Sequence, residues 1–290
     1  MIAPLKAVVL VAVALYAAAL ALLYAFQNRL LYPSAGADPP PTSGELAASG
    51  LAPWEGHEGA LTAPLDAARA TVVVFHGNGG TAAQRGYYAD ALRRRGLRVI
   101  LAEYPGYGGR AGRVSEAAFV ADARAAIRRA HAAFGGPLVV WGESLGAGVA
   151  AAAVRQLDVP VEAVVLLTPW DTLPNVAQGA YPWVPVRALL RDRYDSVEAL
   201  RAFDGRIAVL VADADAVIPA RHGLALHRQL ADGQPADGQL TDAAPGRVRL
   251  WTFPGAGHNT WPAQPGARWW DEVVAFALGD ARPPGPDAES

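Results

Sequence analysis

Six short apolar runs alternate with stretches of helical spacing, and this alternation restricts the chain to a narrow set of folds. The runs are "ATVVVF", "LRVILAEY", "PLVVW", "VEAVVLL", "RIAVLVA" and "RVRLWTF". Between them lie segments such as "GTAAQRGYYADALRRRG", predicted as one helix ending at Gly96, and "SEAAFVADARAAIRRAHAAF", predicted as another. The runs are rich in β-branched residues and almost uninterrupted by polar ones, so each is expected to be a strand buried on both sides. Strands of that kind build a mostly parallel sheet with helices on both faces. In such sheets ligands bind beyond the carboxyl ends of the strands, so the residues just after each run carry the functional information.

Those residues are "HGNGG" (76–80), "PGYGGR" (105–110), Ser144 within "GESLG", "TPWDTL" (168–173), "DADAVIP" (213–219) and "PGAGHNTW" (254–261). A serine between Gly142 and Gly146, where a buried strand turns into an alanine-rich helix, is badly placed for packing and well placed for exposure. A serine hydroxyl is a weak nucleophile until a neighbouring base takes its proton. His258 and Asp215 follow Ser144 in chain order, each just beyond a strand.

The chain has 290 residues, 52% of them hydrophobic and 18% charged, with a formal net charge of −2. That supports one large α/β domain with a substantial core. The near-neutral balance gives no electrostatic reason to expect a nucleic-acid partner. Cysteine is absent, which excludes disulfides, thiolate metal sites and a cysteine nucleophile. Ahead of the domain, "AVVLVAVALYAAALALLYAF" (7–26) carries no charge, and roughly 20 such residues suffice to cross a bilayer as a helix. Residues 1–32 are expected to be a retained membrane anchor, with the catalytic domain outside the cytoplasm; a cleaved signal peptide and a secreted product is the alternative. Residues 33–50, rich in proline and glycine, are expected as a linker, 51–279 as the folded domain, and 280–290 as a disordered tail. "ADGQPADGQLTDAAPG" (231–246) is expected as a flexible insertion.

G-x-S-x-G between strand and helix, with an acid and then a histidine downstream, resembles the α/β-hydrolase fold. More narrowly, the apolar leader ending in "FQNRLLYPS", followed by "HGNGG", "EYPGYGG", "GESLGAGVA" and "RDRYDS", resembles the BEM46-like membrane-anchored serine hydrolases. That group includes relatives of depalmitoylating hydrolases. The resemblance implies Ser144 as nucleophile, His258 as general base and Asp215 as the acid that orients it. Gly142 and Gly146 would be required by the tight turn, and the backbone N–H groups of Asn78 and Leu145 would form an oxyanion hole. An imidazole suits the base because it exchanges protons near neutral pH. Asp213, two residues earlier, and Asp171, after the preceding strand, are the alternatives for the acid. The D-x-x-[VI]-P pattern favours Asp215. His76 reads as a loop-stabilising residue, Glu143 as structural, and Asp195 with Glu198 as a helix capping box. The segment 168–201 is expected to be a small lid, with Trp170, Tyr181 and Trp183 lining an apolar acyl pocket.

These residues imply hydrolysis of a small or lipid-like acyl ester or thioester through an acyl-enzyme, with no cofactor and no metal. A peptidase of the same fold and a non-catalytic scaffold are alternatives. A nicotinamide-dependent oxidoreductase is a further one, because "GNGGTA" (77–82) follows a strand and Glu103 ends the next.

Overall fold

The computed structural model describes residues 2–63, 65, 67–231 and 246–280. The stretches 232–245 of the expected insertion and 281–290 of the expected tail lie outside the described residues. In chain order the elements are α1 (Ile2–Leu31), α2 (Ser43–Ala48), β1 (Ala52–Pro53), β2 (Leu61–Ala63), β3 (Ala70–Phe75), α3 (Gly86–Arg93), β4 (Leu97–Ala102) and α4 (Glu116–Phe134). They continue as β5 (Leu138–Glu143), α5 (Leu145–Val154), β6 (Ala163–Leu167), α6 (Leu173–Ala180), α7 (Val186–Leu189) and α8 (Ser196–Leu200). β7 (Arg206–Ala212), α9 (Ala220–Ala231), β8 (Val248–Phe253) and α10 (Trp269–Leu278) complete the described part.

The strands form one sheet in the order β1-β2-β4-β3-β5-β6-β7-β8. The six apolar runs pair in parallel, and only the short β1 and β2 run antiparallel at one edge. Strand periodicity divides the core into two layers. Val73 and Phe75 face α4, α5, α8 and α9, whereas Val72 and Val74 face α3 and α10. β3 and β5 are buried throughout because helices cover both faces.

Two expectations differ in detail. The single helix expected over 80–96 is a 3₁₀ turn (Ala82–Arg85) followed by α3, and Gly96 closes it with φ +71°. Residues 33–50, expected as a linker, fold against the domain. Thr42 and Glu45 cap α2 reciprocally, Leu46 is buried, and Pro40 lies against Gly109. Proline and glycine there interrupt regular structure without removing tertiary contact.

α1 is apolar around most of its circumference and long enough to cross a membrane. It is not detached from the domain. Leu20, Gln27, Asn28 and Leu31, spaced along one face, are partly or fully buried. Asn28 Nδ2 donates to the Val114 carbonyl (2.7 Å), and the Arg191 N–H donates to Gln27 Oε1 (2.8 Å).

Candidate active site

β5 runs into α5 through Ser144, whose φ of 53° and ψ of −113° no β-branched or bulky residue adopts readily. The turn leaves no room on either side. A Cβ on Gly142 would meet the Gly146 carbonyl oxygen, and one on Gly146 would meet the Phe75 carbonyl oxygen of β3. Both glycines are therefore demanded by close backbone approach. Leu145 opens α5, so its N–H has no carbonyl one turn earlier to bond and lies at the positive end of the helix.

The loops after β7 and β8 meet this turn. His258 Nε2 lies 2.9 Å from Ser144 Oγ, and His258 Nδ1 lies 2.7 Å from Asp215 Oδ2. The other Asp215 oxygen accepts the N–H groups of Val217 and Ile218, both at 2.8 Å. The histidine loop is tied to the aspartate loop by Ala214 N–H to the Ala256 carbonyl (2.9 Å) and by Gly255 N–H to Asp213 Oδ1 (2.6 Å). Asp213 thus braces the loop without reaching the imidazole. Asp171 is engaged elsewhere, with His222 Nδ1 at 2.9 Å. Of the three aspartates weighed, only Asp215 meets His258.

His76 and Glu103 are both buried and face each other at 2.8 Å (Nε2 to Oε1). Glu103 Oε2 accepts the Ala82 N–H (2.9 Å), so this carboxylate braces the glycine loop and is closed to a ribose. That removes Glu103, one of the two features which favoured a nicotinamide cofactor. Glu143 accepts the hydroxyls of Tyr87 (2.8 Å) and Tyr88 (3.0 Å) and pairs with Arg85, in keeping with its structural reading. Asp195 caps α8 through the Glu198 N–H (2.9 Å), but the Glu198 carboxylate turns to Arg155 instead of closing a box.

A cavity of ≈ 360 Å³ opens beside Ser144 and His258. Gly77, Asn78 and Leu145 line its polar end; Trp170, Leu173, Val176 and Ile218 supply apolar wall. Trp170, expected in an acyl pocket, lines this cavity. Tyr181 and Trp183 do not: they stand at 59% and 77% exposure, away from the cavity. α6 ends at Ala180, just before them, and both side chains are left in the exposed stretch "YPWVP" beyond it. A larger groove, ≈ 590 Å³, lies between residues 154–161 and 198–205, remote from Ser144.

Most of the apolar wall was missed from sequence, including Leu173, Val176, Tyr194 and Ile218 and two residues far earlier in the chain. Leu31 and Tyr32, from the end of α1, form part of the cavity wall. The Tyr32 hydroxyl donates to Asp192 Oδ2 (2.7 Å) and lies 3.0 Å from the Tyr194 hydroxyl. Burial, and after it the Asp192 carboxylate, push the Tyr32 phenol far above its ordinary pKa, so it remains a donor. Asn78 Nδ2 donates to the Leu31 carbonyl (2.6 Å), and Asn78 Oδ1 accepts from Tyr107 (2.6 Å). The loop expected to supply an oxyanion donor is thus fastened to the end of the apolar helix. Gln27, Asn28 and Tyr32 stand out as polar groups closing an otherwise apolar run. That was the available signal for docking.

Residues 66–195 match the family described as serine aminopeptidase, S33. An uncharacterized protein of Mycobacterium tuberculosis is 36% identical over 191 residues, covering 65% of this chain and 62% of its own length. The lysophosphatidylserine lipase ABHD12 of Danio rerio is 26% identical over 193 residues, covering 60% of this chain and 50% of that protein. The matched part therefore spans less than two thirds of either relative. Among solved structures, TT1662 from Thermus thermophilus superimposes with a TM-score of 0.57 at 22% identity, over 76% of this chain and 92% of that one.

Proposed function

From the premise that this chain belongs to the α/β-hydrolase superfamily, we propose that it is a serine hydrolase of acyl esters or thioesters working through Ser144, His258 and Asp215. The carrying observation is the unbroken Ser144–His258–Asp215 relay of hydrogen-bond distances at a strained turn. Asp215 accepts from Nδ1–H of His258, which leaves Nε2 free to accept the Ser144 proton. Ser144 Oγ attacks the substrate carbonyl carbon, and the N–H groups of Leu145 and Asn78 receive the oxyanion. His258 then returns the proton to the departing alcohol or thiol, leaving an acyl-Ser144 ester. Water, deprotonated by the same imidazole, attacks that ester and releases the acid.

The apolar wall of Leu31, Trp170, Leu173, Val176 and Ile218 supports an acyl chain as the group recognised. A relative described as a lysophosphatidylserine lipase supports an ester. The peptidase reading has the S33 description in its favour. An aminopeptidase needs an acid to hold the substrate ammonium, and the one carboxylate lining the cavity among the described residues, Glu143, has both oxygens occupied. We take α1 as a retained anchor with the domain outside the cytoplasm. Its final turn supplies cavity wall, so a mature chain without it would have an open site.

Ser144→Ala tests the reading. Labelling by a fluorophosphonate probe should vanish, and turnover across a panel of acyl esters and thioesters should fall by several orders of magnitude. Labelling that persists removes Ser144 from the chemistry.

A further inference from the structure

The Tyr16 hydroxyl of α1 donates to the Trp183 carbonyl at 2.6 Å, which pins the lid corner Tyr181–Val184 to the middle of the apolar helix. Eight residues further on, Arg191 donates to the Tyr24 carbonyl (2.7 Å) and lies 4.8 Å from the Tyr24 ring centroid. At 1.5 Å per residue, Lys6 to Tyr16 spans about 15 Å and Lys6 to Tyr24 about 27 Å. A hydrocarbon core is about 30 Å thick. Membrane that stopped at Tyr16 would be half the required thickness; membrane that reaches Tyr24 covers Trp183 as well, about 12 Å deep. Arg187, Arg191 and Arg193, all exposed, then lie where anionic head groups would meet them.

The corner is built for that setting. Irregular backbone facing lipid must have its polar groups satisfied internally. All four carbonyls of Tyr181–Val184 are. The Val184 N–H donates to the Tyr181 carbonyl (3.1 Å) and the Val186 N–H to that of Val184 (2.7 Å), Gln178 Nε2 lies 3.3 Å from that of Pro182, and Tyr16 takes that of Trp183. Pro182 and Pro185 bring no N–H to satisfy, and the N–H groups of Tyr181 and Val184 donate to the carbonyls of Ala177 and Tyr181, which leaves that of Trp183 as the corner's one backbone donor without a partner among the described residues. The side chains presented outward, those of Tyr181 and Trp183, are an exposed phenol and an exposed indole whose large apolar rings lipid can cover. α6 joins this corner to the cavity, since Leu173 and Val176 on it line the space beside Ser144. Leu31 lines the same space from α1, seven residues past Tyr24, or about 10 Å above the hydrocarbon edge.

We propose that the corner Tyr181–Val184 is immersed in the bilayer beside α1, and that the cavity receives the acyl chain of a membrane lipid from the bilayer, between α1 and α6. The immersion stands independently of the reaction; the entry of the acyl chain rests on the hydrolase reading above.

The absence of cysteine from the chain makes single-cysteine labelling clean. Full-length Val11→Cys, Trp183→Cys and Asp204→Cys are each labelled with an environment-sensitive fluorophore and reconstituted into phosphatidylcholine–phosphatidylglycerol vesicles. The label at 183 should be quenched by lipids carrying a spin label on the acyl chain and shielded from aqueous iodide several-fold relative to 204, as the label at 11 should be. Iodide access at 183 equal to that at 204 overturns the immersion. For entry, a long-chain ester held at constant bulk concentration is diluted with inert lipid. Tenfold surface dilution should lower initial rate severalfold, and a rate that follows bulk concentration alone overturns that half. Fluorophosphonate labelling of Ser144 in the same vesicles keeps the two readings apart, because its loss strikes the hydrolase reading and leaves the depth measurement standing.

Discussion

Asp215→Asn tests the site most sharply, because the structure dictates how the amide must sit. Oδ1 of Asp215 accepts two backbone N–H groups at 2.8 Å, so the oxygen of an asparagine has to stay there. Its NH₂ then takes the position of Oδ2, 2.7 Å from His258 Nδ1, and donates to it. Nδ1 is forced to accept, the imidazole proton moves to Nε2, and the ring can no longer take the proton of Ser144. The charge is lost as well. The Asp215 side chain is 1% exposed, so solvent screens it little. A carboxylate about 4 Å from an imidazolium centre, at an effective dielectric near 20, stabilises it by about 4 kcal/mol. At 1.36 kcal/mol per tenfold, that is roughly a thousandfold in turnover before the tautomer is counted. Asp213→Asn keeps an oxygen for the Gly255 N–H and should lose less than about tenfold. The assay is kcat on a soluble acyl ester for both variants, with folding checked by thermal melting. Equal losses, or a loss below about tenfold for Asp215→Asn, would refute the reasoning.

Gly146→Ala drives a methyl into the Phe75 carbonyl, so either β3 or α5 must shift. A cost of about 3 kcal/mol should appear as a Tm lowered by roughly 6–12 °C, and an unchanged Tm would contradict the close approach. Tyr32→Phe removes the donor to the buried Asp192 carboxylate and should destabilise the chain by about 1–3 kcal/mol in urea unfolding, with faster proteolysis between α1 and the domain. Asp122, despite the upward push of burial, is held below its ordinary pKa by His57 and the bidentate Arg110. A depressed carboxyl contributes stability above its unfolded value of 3.8 and loses it as pH falls through the lower folded value. Asp122→Asn should therefore cost about 1.5–3 kcal/mol at pH 6 and progressively less below pH 3.8, as measured by urea melts across that range.

The alternation of apolar runs with helical stretches determined the parallel sheet, because strands buried on both faces admit no other cover. The pair Gly142 and Gly146 determined the turn around Ser144, since only glycine tolerates a carbonyl at that distance. The sequence singled out His258 because a glycine-framed histidine beyond a strand has few packing roles, and the fold brings its Nε2 to 2.9 Å from Ser144 Oγ. The choice among Asp171, Asp213 and Asp215 was not settled by chemistry along the chain, because all three follow strands. It took the sheet to send one to His222, one to a backbone N–H and one to His258.

The outer wall was decided by tertiary structure alone. Tyr181 and Trp183 looked like pocket residues because an aromatic ring in a lid reads the same whichever way it points. Tyr194, Leu31 and Tyr32 fill that wall instead. Leu31 and Tyr32 stand 113 and 112 residues before Ser144, in a segment whose composition announces only a membrane helix. Hydrophobicity along a sequence reports that a surface must leave water, and it cannot report whether lipid or protein receives it. In α1 one face packs on the domain through Gln27, Asn28 and Leu31 while the rest stays exposed, and that division was visible only in the folded structure.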